Sequence, residues 1–163
     1  MPTERGIRRA FVLAATVLLG DVLTKAAIAA LIELGAWHAV LPGLNIVHVL
    51  NRGAAFSFLH DAGGWQRGFF IALALVAAVV LVLMIRRPGT ALLERVSYGL
   101  ILGGALGNMV DRVARGAVVD WIDLYWGDHH WPAFNVADIG ISCGAVLLVI
   151  GALFFQPRPL SQG

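Results

Sequence analysis

Charge is what this chain has least of. Asp, Glu, Lys and Arg make up 13% of its 163 residues, and hydrophobic residues 59%. Soluble domains carry about 25% charged residues and about 45–50% apolar ones. The deficit, with apolar runs of about 20 residues, excludes an ordinary soluble domain and places the chain in the membrane class, as a single domain over 1–163. Cysteine is nearly absent as well. The lone Cys143 excludes an internal disulfide and a Cys-based metal cluster. Inside an apolar segment it is expected as a small buried packing residue. No His-Glu-x-x-His is present, which excludes the helical zinc-protease motif. There is no Gly-x-Ser-x-Gly, and Ser57, Ser97 and Ser142 have no obvious base. His129 and His130 are adjacent, so they cannot share a helical face, and a solvated loop is expected there. The net charge of +2 is small and the arginines are scattered, so no nucleic-acid patch is present. Gly-rich phosphate loops, coiled-coil heptads and internal repeats are missing too.

What is there organises itself around four apolar segments. They run from about Ile7 to Leu31, Gly68 to Ile85, Leu92 to Val110 and Val136 to Phe155. Each has the ~20 residues that cross ~30 Å of hydrocarbon at ~1.5 Å per residue. The first follows Arg5, Arg8 and Arg9 and so imitates a signal peptide. Asp21 and Lys25 interrupt that pattern and the apolar stretch runs on, so a retained transmembrane helix is expected. Arginines flank the spans at the N-terminus, at Arg86, Arg87 and Arg95, and at Arg158. The positive-inside rule then puts both termini and the second loop in the cytoplasm. The longer loops, about 32–67 and 111–135, face outward. They hold Arg52, Arg67, Arg112 and Arg115, most of the acids and all five tryptophans. Indole rings favour the headgroup level, so these loops are expected as a small cap lying on the outer membrane surface. Within the first, Leu44–Leu50 reads as a short strand entered through a Pro42-Gly43 turn, and Gly63-Gly64 breaks the chain before the second span. The expected fold is an all-α membrane protein of four transmembrane helices with a small β-containing extracytoplasmic cap.

Carboxylates at membrane depth are costly and face a cavity, a partner or a reaction rather than lipid. Asp21 and Lys25 are four apart and share a helical face; this spacing serves first a structural ion pair, and alternatively the shaping of an active site. Asn51 offers both donor and acceptor, and Gly53 permits close backbone approach, although Asn and Gly also make plain turns. Gly103 and Gly107 have small-xxx-small spacing. Asn108, Asp111 and Arg112 follow on one face, either as interfacial solvation or as part of a site. Asp120 is flanked by Val118, Val119, Trp121 and Ile122, and such poor solvation raises a carboxyl pKa. Asp138 opens the fourth span, where a helix N-terminus favours negative charge and where a simple first-turn acid is also at home. Two carboxylates in different environments make an acid/base pair. One takes a proton from water, the water attacks a carbonyl, and the other donates to the developing oxyanion. Spacing alone does not show that Asp120 and Asp138 meet. A small ion-coupled transporter, with carboxylates spread through the spans, is the competing reading, and a non-enzymatic assembly subunit is a third.

The five motifs together resemble the lipoprotein signal peptidase (signal peptidase II) family. They are Asp21-Val22-Leu23-Thr24-Lys25, Asn51-Arg52-Gly53-Ala54-Ala55-Phe56, Gly104-Ala105-Leu106-Gly107-Asn108-Met109-Val110-Asp111-Arg112, Val118-Val119-Asp120-Trp121-Ile122-Asp123 and Phe134-Asn135-Val136-Ala137-Asp138. Trp121 stands where Phe is more usual, and Val136 where Leu is common. The resemblance implies a bacterial cytoplasmic (inner) membrane enzyme without metal or organic cofactor. It implies removal of signal peptides from prolipoproteins whose lipobox cysteine carries diacylglycerol, with cleavage just before that cysteine. It implies catalysis by Asp120 and Asp138, near the periplasmic face, with Asp21, Asn51, Gly53, Asn108, Asp111, Arg112 and Asn135 in support and Lys25 beside Asp21. It further implies prolipoproteins and membrane lipid as partners and the cyclic peptide globomycin as an inhibitor. A substrate helix entering from lipid needs no partner subunit, so a monomer is expected.

Overall fold

The computed structural model describes residues 2–53 and 64–154. Ala54, Ala55, Phe56, Ser57, Gly63, Phe155 and Arg158, named above, lie outside the described residues. In chain order the elements are α1 (Pro2–Leu31), β1 (Trp37–Leu41), β2 (Leu44–Asn51), α2 (Trp65–Arg86), α3 (Leu92–Arg115), β3 (Val118–Trp126), β4 (His129–His130) and α4 (Val136–Phe154). The molecule is mostly helical with a small antiparallel sheet, in keeping with the expected helices and small β-containing cap. Helices α1, α2 and α4 are each long and apolar enough to cross a membrane. Their outward faces carry exposed Val12, Leu19, Leu73, Val76, Val149 and Leu153, the surface of a protein that is solvated by lipid rather than water.

Helix α3 is the centre of the bundle. It packs against α1, α2 and α4, whereas α1 and α2 hardly meet. Small residues make this possible. A Cβ on Gly104 would lie 2.3 Å from the Ala137 carbonyl oxygen of α4, and one on Gly107 would lie 2.5 Å from the Asp21 carboxylate of α1. Near the other end, Ala10, Ala14, Leu81, Ile85 and Leu102 form the apolar core of α1, α2 and α3. The α2–α3 hairpin is closed by two arginines acting in opposite directions. Arg95 of α3 donates to the Ile85 and Arg87 carbonyls at the end of α2. Arg67 of α2 donates to the Arg112 and Val113 carbonyls at the end of α3. Each side chain donates to carbonyls at the C-terminal end of the facing helix and sets positive charge at its negative pole.

Several boundaries differ from the sequence expectation. Helix α3 does not stop at Val110 but runs on to Arg115, so Asp111 and Arg112 belong to a helix and not to the outer loop. The polar residues end the apolar run without ending the helix, because Asp111 pairs with Arg115 one turn on and Arg67 closes the last carbonyls. The stop is Gly116, whose N–H returns to the Arg112 carbonyl. Strand β2 covers the expected Leu44–Leu50, and Gly43, at φ +89°, supplies the left-handed residue that a Pro-Gly turn needs. The sheet order is β1-β2-β3-β4. Trp121, Trp126 and Trp37 lie in strands, and Trp65 opens α2. Cys143 is exposed rather than buried; the packed face of α4 is lined by Ala137, Gly140 and Gly144. His129 and His130 form a short strand paired with Trp126 and Tyr125, not a free loop.

Candidate active site

Strand β3 leaves the end of α3 and crosses beside β2. That path sets Asp120 opposite Val49 and Val118 opposite Asn51, with a bulge between Ile46 and Val49. Asp138 stands in the first turn of α4. One cavity of about 940 Å³ is lined by both aspartates, by Asn51, Gly53, Asn108 and Arg112, and by a wall from Trp131 to Phe134. The two carboxylates, whose meeting the sequence left open, therefore share one space.

Each is held by amides. Asp120 is 3% exposed. Its Oδ1 accepts a hydrogen bond of 2.6 Å from Asn135 Nδ2, and its Oδ2 one of 3.1 Å from Asn51 Nδ2. Asp138 Oδ1 accepts from Asn108 Nδ2 at 2.8 Å, and its backbone N–H donates to Asn135 Oδ1 at 3.0 Å. Asn135 thus bonds to both aspartates and is fully buried. Burial pushes the Asp120 carboxyl up to about 6, and the neighbouring Asp138 charge adds to the rise. The hydrogen bonds from Asn51 and Asn135, and the Lys25 charge, act in the opposite direction without cancelling it.

Arg112 reaches across the cavity from α3. Its Nη2 donates to the Gly53 carbonyl at 2.9 Å, and its guanidinium lies 4.7 Å from the centre of the Phe70 ring. The guanidinium therefore fixes the Asn51–Gly53 segment while keeping positive charge beside the aspartates. Gly53 N–H in turn donates to Asn51 Oδ1 at 3.0 Å, so the turn and the Asp120 contact are one construction.

Asp21, Lys25 and Asp111 lie behind this cavity rather than in it. Lys25 is fully buried with Asp21. Its Nζ is 2.7 Å from Asp21 Oδ2, 3.4 Å from Asp111 Oδ2 and 2.9 Å from Asn108 Oδ1. Asp21 Oδ1 accepts from the Ala137 N–H at 2.8 Å, and Asp111 Oδ2 from the Val119 N–H at 2.9 Å. The two acids thus hold the backbone one residue before each aspartate of the cavity. Both alternatives for the Asp21–Lys25 pair are present together: it is an ion pair, and it adjoins the site through Asn108. Sequence reasoning missed the Trp131–Phe134 wall and an Asn45–Asp123–His130 cluster beside it. A hairpin signal for that cluster did exist in Gly127-Asp128 between Trp126 and His129.

Among the described residues, three helices apolar enough to cross a membrane, beside a cavity of α3, α4 and the sheet that holds two amide-bound carboxylates, are the features of a membrane protein with a candidate active site. Two solved bacterial membrane enzymes, determined by the in meso method at 2.3 Å and 1.9 Å, have the same fold. The first matches with a TM-score of 0.83 at 30% identity, over 95% of this chain and 93% of that one. The second matches with a TM-score of 0.78 at 32% identity, over 91% and 94%. The chain belongs to the signal peptidase (SPase) II family, whose model matches residues 13–154, and it is accordingly a peptidase. It is 49% identical over 140 residues to a lipoprotein signal peptidase of Paraburkholderia phymatum, covering 86% of this chain and 84% of that protein. It is 47% identical over 147 residues to one of Hydrogenovibrio crunogenus, covering 90% and 86%.

Proposed function

We propose that the chain is a membrane aspartic endopeptidase that removes the signal peptide from diacylglyceryl-modified prolipoproteins, cutting just before the lipidated cysteine. The observation that carries this reading is the single cavity into which both Asp120 and Asp138 open. Asp138 takes a proton from water, and the water oxygen bonds to the scissile carbonyl carbon. Asp120, which burial keeps protonated to about pH 6, donates to the carbonyl oxygen as it gains charge. The carbon–nitrogen bond then breaks, and the proton held by Asp138 passes to the leaving amine of the cysteine. Arg112 tempers the negative charge of the pair. Asn51, Asn108 and Asn135 hold the carboxylates apart and in register, and Gly53 lets the chain pass close to Arg112. The Asp21–Lys25–Asp111 cluster fixes the backbone on which this geometry rests.

In the same reading α3 is a fourth membrane span of one domain, both termini are cytoplasmic, and the cavity opens at the periplasmic face of the bacterial inner membrane. The sheet lies on that face, and the substrate's signal helix and acyl chains reach the cavity from lipid without a partner subunit. Globomycin is expected to compete for the cavity. Gathering of the acids at one end of the bundle favours a surface reaction over ion-coupled transport. The test is cleavage of a diacylglyceryl-modified prolipoprotein and of its unlipidated precursor by wild type, Asp120→Asn and Asp138→Asn. Loss of cleavage in both well-folded variants, with the unlipidated precursor spared by wild type, is the expected result. Near-normal turnover by either variant makes that aspartate structural.

A further inference from the structure

The Trp131–Phe134 wall is pinned by side chains that the cleavage chemistry does not use. Asp123 of β3 is 8% exposed. Its Oδ2 accepts from Asn45 Nδ2 of β2 at 2.7 Å. His130 Nδ1 lies 2.9 Å from both of its oxygens. A carboxylate only accepts, so Nδ1 is the ring nitrogen that carries the proton. The His130 ring also stacks on Tyr125, with centroids 5.3 Å apart and planes 20° from parallel. The residue after His130 begins the wall. The Trp131 N–H donates to the Leu124 carbonyl at 2.7 Å, and at the far end the Phe134 N–H donates to the Ile122 carbonyl at 3.0 Å.

We propose that His130 is a positioning residue: through Asp123 it fixes the apolar wall against which the acyl or signal-peptide portion of a lipid-modified substrate lies. This rests on the reading of the cavity as the cleavage site. Without the pin, the short β4 hairpin that leads into Trp131 is held by its backbone bonds alone, so more of the wall's order must be supplied when substrate binds, which weakens binding. The aspartates stay in place, because Asn135 follows Phe134, whose own bonds to β3 are separate from the His130 contact. Asn is the conservative replacement, since its side-chain amide can donate where Nδ1 does.

The experiment measures KM and kcat for a diacylglyceryl-modified prolipoprotein, with purified full-length wild type, His130→Ala, His130→Asn and Asp123→Asn. Asp120→Asn and Asp138→Asn run beside them. His130→Ala is expected to raise KM about five-fold, in the range of one lost hydrogen bond, with kcat within about two-fold of wild type. His130→Asn is expected to restore KM to within about two-fold. Asp123→Asn keeps the side-chain shape but loses the charge. It is expected to raise KM too, and it decides the matter where His130→Ala yields no monodisperse protein. Unchanged KM in His130→Ala and Asp123→Asn overturns the proposal, as does a fall in kcat at constant KM or a failure of His130→Asn to rescue. Normal cutting by Asp120→Asn or Asp138→Asn instead overturns the assignment of the cavity itself.

Discussion

Asp120 sits in a buried strand, where desolvation opposes its charge, and that has consequences in two measurements. In the native chain its carboxyl is raised to about 6, against about 3.9 when unfolded. The native state therefore holds this proton more tightly. The stabilisation is complete below about pH 4 and is lost as pH rises through about 6, on the order of 3 kcal/mol. Melting of wild type and Asp120→Asn in detergent from pH 4 to 7 is expected to show wild type losing stability relative to the variant by about that amount. The peptidase rate is expected to fall over the same upper limb, as the donor to the oxyanion loses its proton. Lys25 carries a different expectation. Replacing it by Met leaves Asp21 and Asp111 buried without their shared cation, a change that costs about 3–5 kcal/mol. A large drop in melting temperature checks it. The poor solvation of Asp120 was legible from its apolar neighbours, and so was the Asp21–Lys25 pair from its spacing. Their partners were named only by the family resemblance and not by spacing, because Asn51, Asn108 and Asn135 arrive from β2, α3 and the segment before α4.

Among the elements, α3 and β3 show where sequence reasoning works and where it stops. The small-xxx-small spacing of Gly103 and Gly107 pointed to close packing along α3, and the structure puts both against α1, with Gly104 against the α4 backbone. Gly104→Leu is therefore expected to push α4 away, shift Asp138, cost about 1–3 kcal/mol by overpacking and reduce cleavage strongly. Gly68→Ala on α2, where an added Cβ meets nothing within 4 Å, is expected to leave both stability and cleavage near wild type. Cleavage assays and melting curves on the two variants separate close approach from mere helix propensity. Strand β3 was harder to see. Val118–Trp126 has the β-branched and aromatic residues of a strand, but Asp120 and Asp123 break the apolar alternation by which half-buried strands are recognised. Both are buried because amides or an imidazole receive them, and no periodicity reports such partners. Asp111 and Arg112 hid the last turn of α3 in the same way.

For the whole molecule, composition led to apolar membrane helices with a small β-containing unit, and among the described residues the structure has three helices apolar enough to cross a membrane and a small antiparallel sheet. The expectation that remains to be measured is sidedness. Reporter fusions at either terminus, or within Arg87–Thr90 between α2 and α3, are expected to report the cytoplasm, and one at Gly127 the periplasm. A single terminus on the opposite side would break the four-span arrangement. That arrangement bears on how the chain is made. Helix α3, with its buried Asn108 and Asp111, is not among the three described helices apolar enough to cross a membrane by themselves, yet every other helix leans on it. During synthesis α1 and α2 emerge first and can offer α3 a protein face. The side of α3 that receives α4 stays bare until α4 is translated. A nascent chain halted before α4 would expose the Asn108 amide that Asp138 normally receives, and would be the form that membrane quality control is best placed to recognise. Docking of α4 and completion of the cavity that holds Asp120 and Asp138 are therefore expected to be one event in biogenesis.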